Sequence, residues 1–411
     1  MRSDLDGLMQ EHNVDAILVT GAAMHNPAMV YLTGVVHVTH GDVLKKRGAE
    51  PILFYNGMER DEAARSGLKT QPYSSFPYRE FYQQAGGDPA RVLALRYKAM
   101  LAQAGIQSGK LVIYGVIDAG LAHSVFTQLG RELPGLEITG DLREELLLEA
   151  MLTKEADEVE RIRRMGKITT GVVGRVADWL TSHASRDGVL VTADGQPVTI
   201  GDAHARINLW LAEAGAENPE ATIFAIGRDS GIPHSLGTPD DLLRLGQTIV
   251  FDIFPCEAGG GYFYDFTRTW CLGYAPDETL KLYEDVLAVY RQLESELRIG
   301  ASCAAVQRRA CELFEARGHP SLLNSPATDI GFPHGLGHGI GLQIHERPWF
   351  RLEGATSDVL LPGSVFTLEP GLYYPERGLG VRLENSLYAT RQGTFEVLAD
   401  YPMDLVLPVR Q

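Results

Sequence analysis

The chain has 411 residues, which is more than one ordinary domain holds, so two or three domains are expected. Its formal charge of −16, from 53 acids against 37 bases, argues against a general nucleic-acid binder. Apolar residues at 45% can build large cores, and four cysteines are too few for a disulfide scaffold.

Taken in chain order, the amino terminus is interrupted early by acids and lacks the basic start and apolar centre of a secretory signal. No apolar stretch is long enough to span a bilayer, and a cytoplasmic location is expected. Leu5, Leu8 and Met9 share one face of a short helix before the strand AILVTG. PILFY reads as a strand, the stretch from Asp88 to Ala104 as a helix, and LVIYG as a strand again. Helix-strand alternation of this kind predicts an α/β domain over residues 1–150. It holds no cluster of His, Cys or acidic residues.

A charged amphipathic segment begins near Thr153, and the domain boundary is placed just before it, at about residue 150. Residues 151–411 then form the second domain. Helices are predicted around His204–Ala214, Glu278–Leu297 and Cys303–Ala316, with glycine-punctuated strands from Thr222. Cys256, Cys271, Cys303 and Cys311 show no C-x-x-C spacing and read as buried free thiols of a reducing compartment.

The chemistry concentrates in the carboxyl-terminal half. In GQTIVFDIFPCEAGGGYFYDFTRTWCLG, two apolar runs flank three glycines. If they form a hairpin, Asp252 and Asp265 stand opposite one another, and cross-strand partners lie about 5 Å apart at Cβ. Two unpaired carboxylates that close among apolar residues need a cation. In FTLEPGLYYPERGLGVRLENSLY, the turn-prone PERG lies midway between Glu369 and Glu384, which places a second acid pair face to face. Four carboxylates around one point make a hard, oxygen-rich site suited to two divalent cations with shared carboxylates.

GFPHGLGHGIGLQIHERP carries His334, His338 and His345, with glycines at 335, 337, 339 and 341 that permit close backbone approach. Spacing alone leaves open which histidine binds metal. His234, in GIPHSLGTPDD, is by itself an ordinary loop histidine.

Together these motifs resemble the pita-bread metallopeptidase family, which includes aminopeptidase P, prolidase and methionine aminopeptidase, with creatinase as a metal-free relative. The resemblance implies an α+β pita-bread (creatinase/aminopeptidase) catalytic domain over 151–411 behind a creatinase-like α/β amino-terminal domain. That domain points to aminopeptidase P and prolidase rather than methionine aminopeptidase. The family's two aspartates match Asp252 in VFDIF and Asp265 in YDFTRTW. Its ligand histidine matches His338 in GHGIG, and its two glutamates match Glu369 in EPGLY and Glu384 in GVRLEN. His345 and His234 match its substrate-side histidines, and His334 takes a supporting place beside them. Glu369 matches the family's proton shuttle. Arg382 and Thr267 fall where the family orders its ligands by hydrogen bonds. The resemblance implies two divalent ions (manganese, cobalt or zinc), hydrolysis beside proline in peptide substrates, and a homodimer, with no nucleic-acid or membrane partner.

Three positions depart from the family pattern. Tyr264 precedes Asp265 where a small residue is usual, and Asn385 follows Glu384 in place of an acid. Trp349 stands where prolidases carry a carboxylate-binding arginine, with Arg347 and Arg351 on either side as the alternative carboxylate clamps. Xaa-Pro dipeptidase, Xaa-Pro aminopeptidase and a carboxyl-end-reading peptidase therefore remain open. A creatinase-like amidinohydrolase and a non-catalytic peptide-binding module fit less well, because the ligand set is complete.

Overall fold

The computed structural model describes residues 4–352 and 358–409. The chain divides into two compact units: Met1–Ala150 with Gly259–Gly261, and Met151–Ala258 with Tyr262–Gln411.

The first unit is built on a six-stranded mixed sheet. Ala16–Gly21 runs antiparallel to Gly41–Lys46 and parallel to Gly109–Val116. Ile52–Tyr55, Lys69–Pro72 and Leu136–Gly140 complete it. The Pro89–Gln103 helix starts where Asp88 accepts from the amides of Ala90 and Arg91, and Pro89 pre-sets its first turn. Its Ala94, Tyr97 and Leu101 pack with Leu18, Phe54 and Leu111 of the sheet. The Gly41–Lys46 strand escaped the sequence reading because of its lysines. Lys45 is buried there and donates to Asp6 at 2.6 Å.

The second unit opens on the long Ala156–Ser182 helix, whose Glu158 side chain accepts from the Glu155 amide at 2.6 Å. Helices follow at Ile200–Glu213, Asp277–Glu296 and Cys303–Glu315. They cover a four-stranded sheet containing Thr222–Ile226, Thr248–Ile253 and Phe266–Leu272, and a five-stranded sheet containing His338–Gly339, Val365–Leu368 and Asn385–Ala389. Val286, Tyr290 and Leu293 of one helix and Phe314 of another meet Phe366, Leu368 and Leu387 in one core. Each such side chain stabilises the fold by about 1.5–3 kcal/mol when fully buried. The four cysteines are buried free thiols. Among the described residues, no helix is long and apolar enough to cross a membrane.

Candidate metal centre

The first acid pair lies on the hairpin formed by Thr248–Ile253 and Phe266–Leu272, but in a different register from the one expected. Asp252 stands opposite Thr267, and Ile253 opposite Phe266. The same alignment continues outward, where Cys256 bridges Phe263 and the Glu257 amide donates to the carbonyl of its own partner, Tyr262, at 3.0 Å. Gly259 and Gly260 take the left-handed conformation, with φ of 87° and 77°, so the chain reverses one residue later than assumed. The pairing shifts by two positions in consequence. Because side chains alternate with a period of two, Asp265 keeps the face of Asp252 although it is not its direct partner.

The second pair follows one alignment throughout. Leu368 pairs with Asn385 in one ladder and Gly371 with Arg382 in the next, so Glu369 and Glu384 meet at the junction between them. Pro375–Arg377 makes a single 3-10 turn, closed by Gly378 at a φ of 64°. The two hairpins are then stitched together. Glu384 donates its amide to the Thr267 carbonyl at 3.1 Å, and the Thr267 hydroxyl donates to Glu384 Oε2 at 2.6 Å.

His338 enters on a strand pressed between neighbours. A Cβ on Gly337 would lie 2.0 Å from the Thr367 carbonyl oxygen, and one on Gly339 would lie 1.9 Å from that of Arg347. Glycine is required at both positions. The His338 amide donates to Thr367 Oγ1 at 3.1 Å, and its Nδ1 donates to the Gly339 carbonyl at 3.0 Å. That bond leaves Nε2 as the unprotonated nitrogen. Nε2 faces Asp265 Oδ2 at 3.5 Å and Glu369 Oε1 at 3.4 Å.

Arg382 is the buried cation of this cluster. It donates to Asp252 Oδ2 at 2.6 Å, to Thr267 Oγ1 at 3.3 Å, to the Pro233 carbonyl at 3.1 Å and to the Tyr373 hydroxyl at 2.7 Å. One guanidinium cannot neutralise four carboxylates. Burial, and then the charges of Asp252 and Glu369, push Asp265 well above the usual carboxylate range. Burial followed by Asp265, Glu369 and Asp252 does the same to Glu384, and burial raises Glu369. Asp252 Oδ1, Asp265 Oδ1 and Glu384 Oε1 are buried without a hydrogen-bond partner. Asp265, His338 and Glu384 each offer a ligand atom, and these atoms lie within 4.8 Å of one another. Lone pairs converging without donors fit hard divalent cations held by oxygen and one imidazole.

Asp252, Asp265, His338 and Glu369 line a cavity of about 490 Å³, together with His234, His334, His345, Arg351 and Arg382. The His345 ring packs edge-on to His338, with centroids 4.4 Å apart. It is open to the cavity, yet the surrounding protein, and then His338, hold its pKa down to about 4. His334 is held at about 3, chiefly by burial. Its Nδ1 donates to the Gly335 carbonyl at 2.7 Å, and its Nε2 accepts from the Tyr373 hydroxyl at 3.0 Å.

Arg347 does not join this wall. Its Nε and Nη2 both donate to Asp358 Oδ1, at 2.9 and 2.5 Å, and the expectation that it meets substrate is corrected. Nearness to His345 in sequence misled there, because the guanidinium is claimed by the buried Asp358 carboxylate, which also accepts from the Trp349 amide at 2.8 Å. Tyr264 also turns away from the cavity. Its ring packs where a Cβ on Gly166 would lie 2.7 Å from it, and its hydroxyl donates to the Ala399 carbonyl at 3.3 Å. Asn385 accepts from Arg268 at 2.9 Å and donates to Tyr290 at 2.7 Å, so both ends of the amide are used. Tyr373 and Thr367 were missed in the sequence, where they read as strand interior.

Residues 160–391 match the signature of metallopeptidase family M24. The chain is 23% identical over 388 residues to an Xaa-Pro dipeptidase of Pyrococcus horikoshii, covering 94% of this chain and 93% of that one. It is 27% identical over 332 residues to a probable dipeptidase PepE of Mycobacterium tuberculosis, covering 76% and 81%. In fold it is similar to the Xaa-Pro dipeptidase of Bacillus anthracis, with a TM-score of 0.75 at 20% identity over 98% of this chain and 97% of that one. An X-Pro aminopeptidase of Thermotoga maritima gives 0.73 at 20% identity over 98% and 99%. With more than half its length inside the family signature, and with acids and histidine converging as described, this chain belongs to metallopeptidase family M24.

Proposed function

We propose that this protein is a dinuclear-metal exopeptidase that hydrolyses peptide bonds next to proline, as an Xaa-Pro dipeptidase or aminopeptidase. The observation that carries the reading is the convergence of buried acids with unpaired oxygens on the unprotonated nitrogen of His338. The relatives named for Xaa-Pro cleavage support the choice of substrate.

Asp252, Asp265, His338, Glu369 and Glu384 would hold two divalent ions (manganese, cobalt or zinc). Bound there, such a pair supplies an activated water near neutral pH and polarises the scissile carbonyl. Glu369, on the cavity wall beside His338, is placed to carry the proton from the attacking water to the departing amine. His345 and His234 line the cavity as hydrogen-bond donors to the tetrahedral oxygen. Thr267 and Arg382 fix the rotamers of Glu384 and Asp252 through their hydrogen bonds. His334 supports the wall through Tyr373. The first unit corresponds to the creatinase-like domain and the second to the catalytic one. We place the protein in the cytoplasm, in keeping with its buried free thiols, and as a homodimer by family resemblance.

The test is a panel of Xaa-Pro dipeptides and longer Xaa-Pro peptides, followed by mass spectrometry. Each is run after chelation and again after manganese, cobalt or zinc is restored. Cleavage beside proline that depends on restored metal is expected. Indifference to proline, or full activity in chelator, overturns the reading.

A further inference from the structure

A second cavity, of about 480 Å³, shares His334, Gly335 and Arg351 with the metal-centre cavity, so the two are compartments of one groove. Its character differs from the acidic centre. Leu322, Leu323, Pro326 and Leu352 supply apolar wall, Arg308 and Arg351 supply charge, and no acid lines it among the described residues. In a chain of net charge −16, a recess with two cations and no acid among its described lining residues is against the general composition. Both arginines are exposed, and neither has an ion pair or hydrogen bond among the described residues. Arg351 is steadied by stacking over Trp349, with its guanidinium carbon 4.6 Å from the ring centroid. Gln307, between them in the wall, is already committed. It donates to the His334 carbonyl at 3.3 Å and accepts from the Leu336 amide at 2.5 Å, which fixes the floor.

We propose that this annex binds the part of a peptide that extends beyond the scissile bond, with Arg308 and Arg351 holding a carboxylate carried there. The inference rests on the exopeptidase reading and deepens it. An enzyme that removes one residue from the amino end leaves only the carboxyl side long enough to reach a second compartment. The favoured substrates are then peptides longer than a dipeptide, with apolar residues after proline followed by a negative group. That group is either a free carboxyl terminus or an Asp or Glu side chain, since a guanidinium binds both in the same way.

The experiment uses the metal-loaded full chain and a matched Xaa-Pro-Leu series. One peptide is neutral and amidated, one has a free carboxyl terminus, and one is amidated with a Glu side chain. Values of kcat/KM are compared for wild type, Arg308→Gln and Arg308→Glu. Wild type should prefer at least one anionic form by roughly five- to tenfold, as expected for partly exposed charged hydrogen bonds. The preference should fade with added salt, collapse in Arg308→Gln and invert in Arg308→Glu. Which anionic peptide gains identifies the source of the carboxylate. Equal rates for all three peptides in wild type, or an unchanged preference in both variants, overturn the annex while leaving the peptidase intact. No cleavage of any Xaa-Pro peptide with metal present overturns the peptidase reading, and the annex falls with it.

Discussion

Asp265 sits where two demands conflict. Its Oδ1 has no donor, its neighbours are negative, and protein surrounds it, so without a cation its charge works against the fold. Asp265→Asn should therefore act in opposite senses. The metal-free variant is expected to melt at a higher temperature than metal-free wild type, while its turnover at saturating metal falls by more than roughly 100-fold, the upper range for disturbing even a partner outside the coordination sphere. A calorimetric scan in chelator and a peptide assay in manganese check the two halves. The same carboxyls set a pH dependence. Asp265, Glu369 and Glu384 have folded-state pKa values raised above the ordinary range. Their contribution to stability is complete below about pH 4 and is lost as pH rises through the raised values. The metal-free protein should lose melting temperature from these groups on going from mildly acidic to neutral pH. Metal at about 100 times its Kd should return roughly 2.7 kcal/mol. A melting temperature insensitive to both pH and metal would refute the carboxylate cluster as a metal centre. At this scale the sequence was informative about charge and silent about hydrogen bonds. The acids stood out because they interrupt apolar strands. Tyr373, which joins Arg382 to His334, looked like any aromatic of a buried strand until its hydroxyl partners were seen.

Among the elements, turns decided what could be read. PERG marks its own reversal, and the alignment of Glu369 with Glu384 follows from counting. The other hairpin offers three consecutive glycines, any of which could hold the turn, and the count fell one residue short. The loop after His338 is held by something composition does not reveal. Lys154 Nζ donates to Glu346 Oε2 at 2.6 Å and to the Met151 carbonyl at 2.8 Å, with both ionic side chains buried. This pair ties the residue next to His345 to the segment ahead of the long helix. A Cβ on Gly341 would lie 2.6 Å from Glu346 Oε2, so the glycine makes room for it. Lys154→Met should cost about 3–5 kcal/mol, because it leaves a buried carboxylate unpaired. It should also lower kcat by loosening His345. Adding Glu346→Gln should recover much of the stability, as measured by urea unfolding. Equal stability of the single and double variants would show that the ion pair is not what holds the loop.

Across the whole molecule, the candidate ligands all belong to the second unit, although they span residues 252 to 384. Metal should therefore tighten that unit selectively. Hydrogen exchange followed by mass spectrometry is expected to slow on metal addition in segments 248–258, 262–272, 336–349 and 365–389. The sheet strands of segments 16–46 and 109–140 should exchange at the same rate with and without metal. Uniform protection of the entire chain would contradict a centre confined to one unit. The charged amphipathic segment near Thr153 opens a helix with its own acidic first turn, a local signal that sequence carries plainly. The mixed order of the first sheet was not legible. Pairing between strands distant in sequence leaves no periodic trace in either strand.

The single alignment running from the Val365–Tyr388 pair through the Pro375–Arg377 turn acts as a ruler. A one-residue slip along it would carry every side chain beyond the slip to the opposite face, taking Glu384 out of the centre and Arg382 away from Asp252 in the same stroke. The length of this segment accordingly matters before its composition. A lone insertion or deletion within either strand between the two glutamates would therefore dismantle the centre, whereas the turn itself asks chiefly for the left-handed position at Gly378.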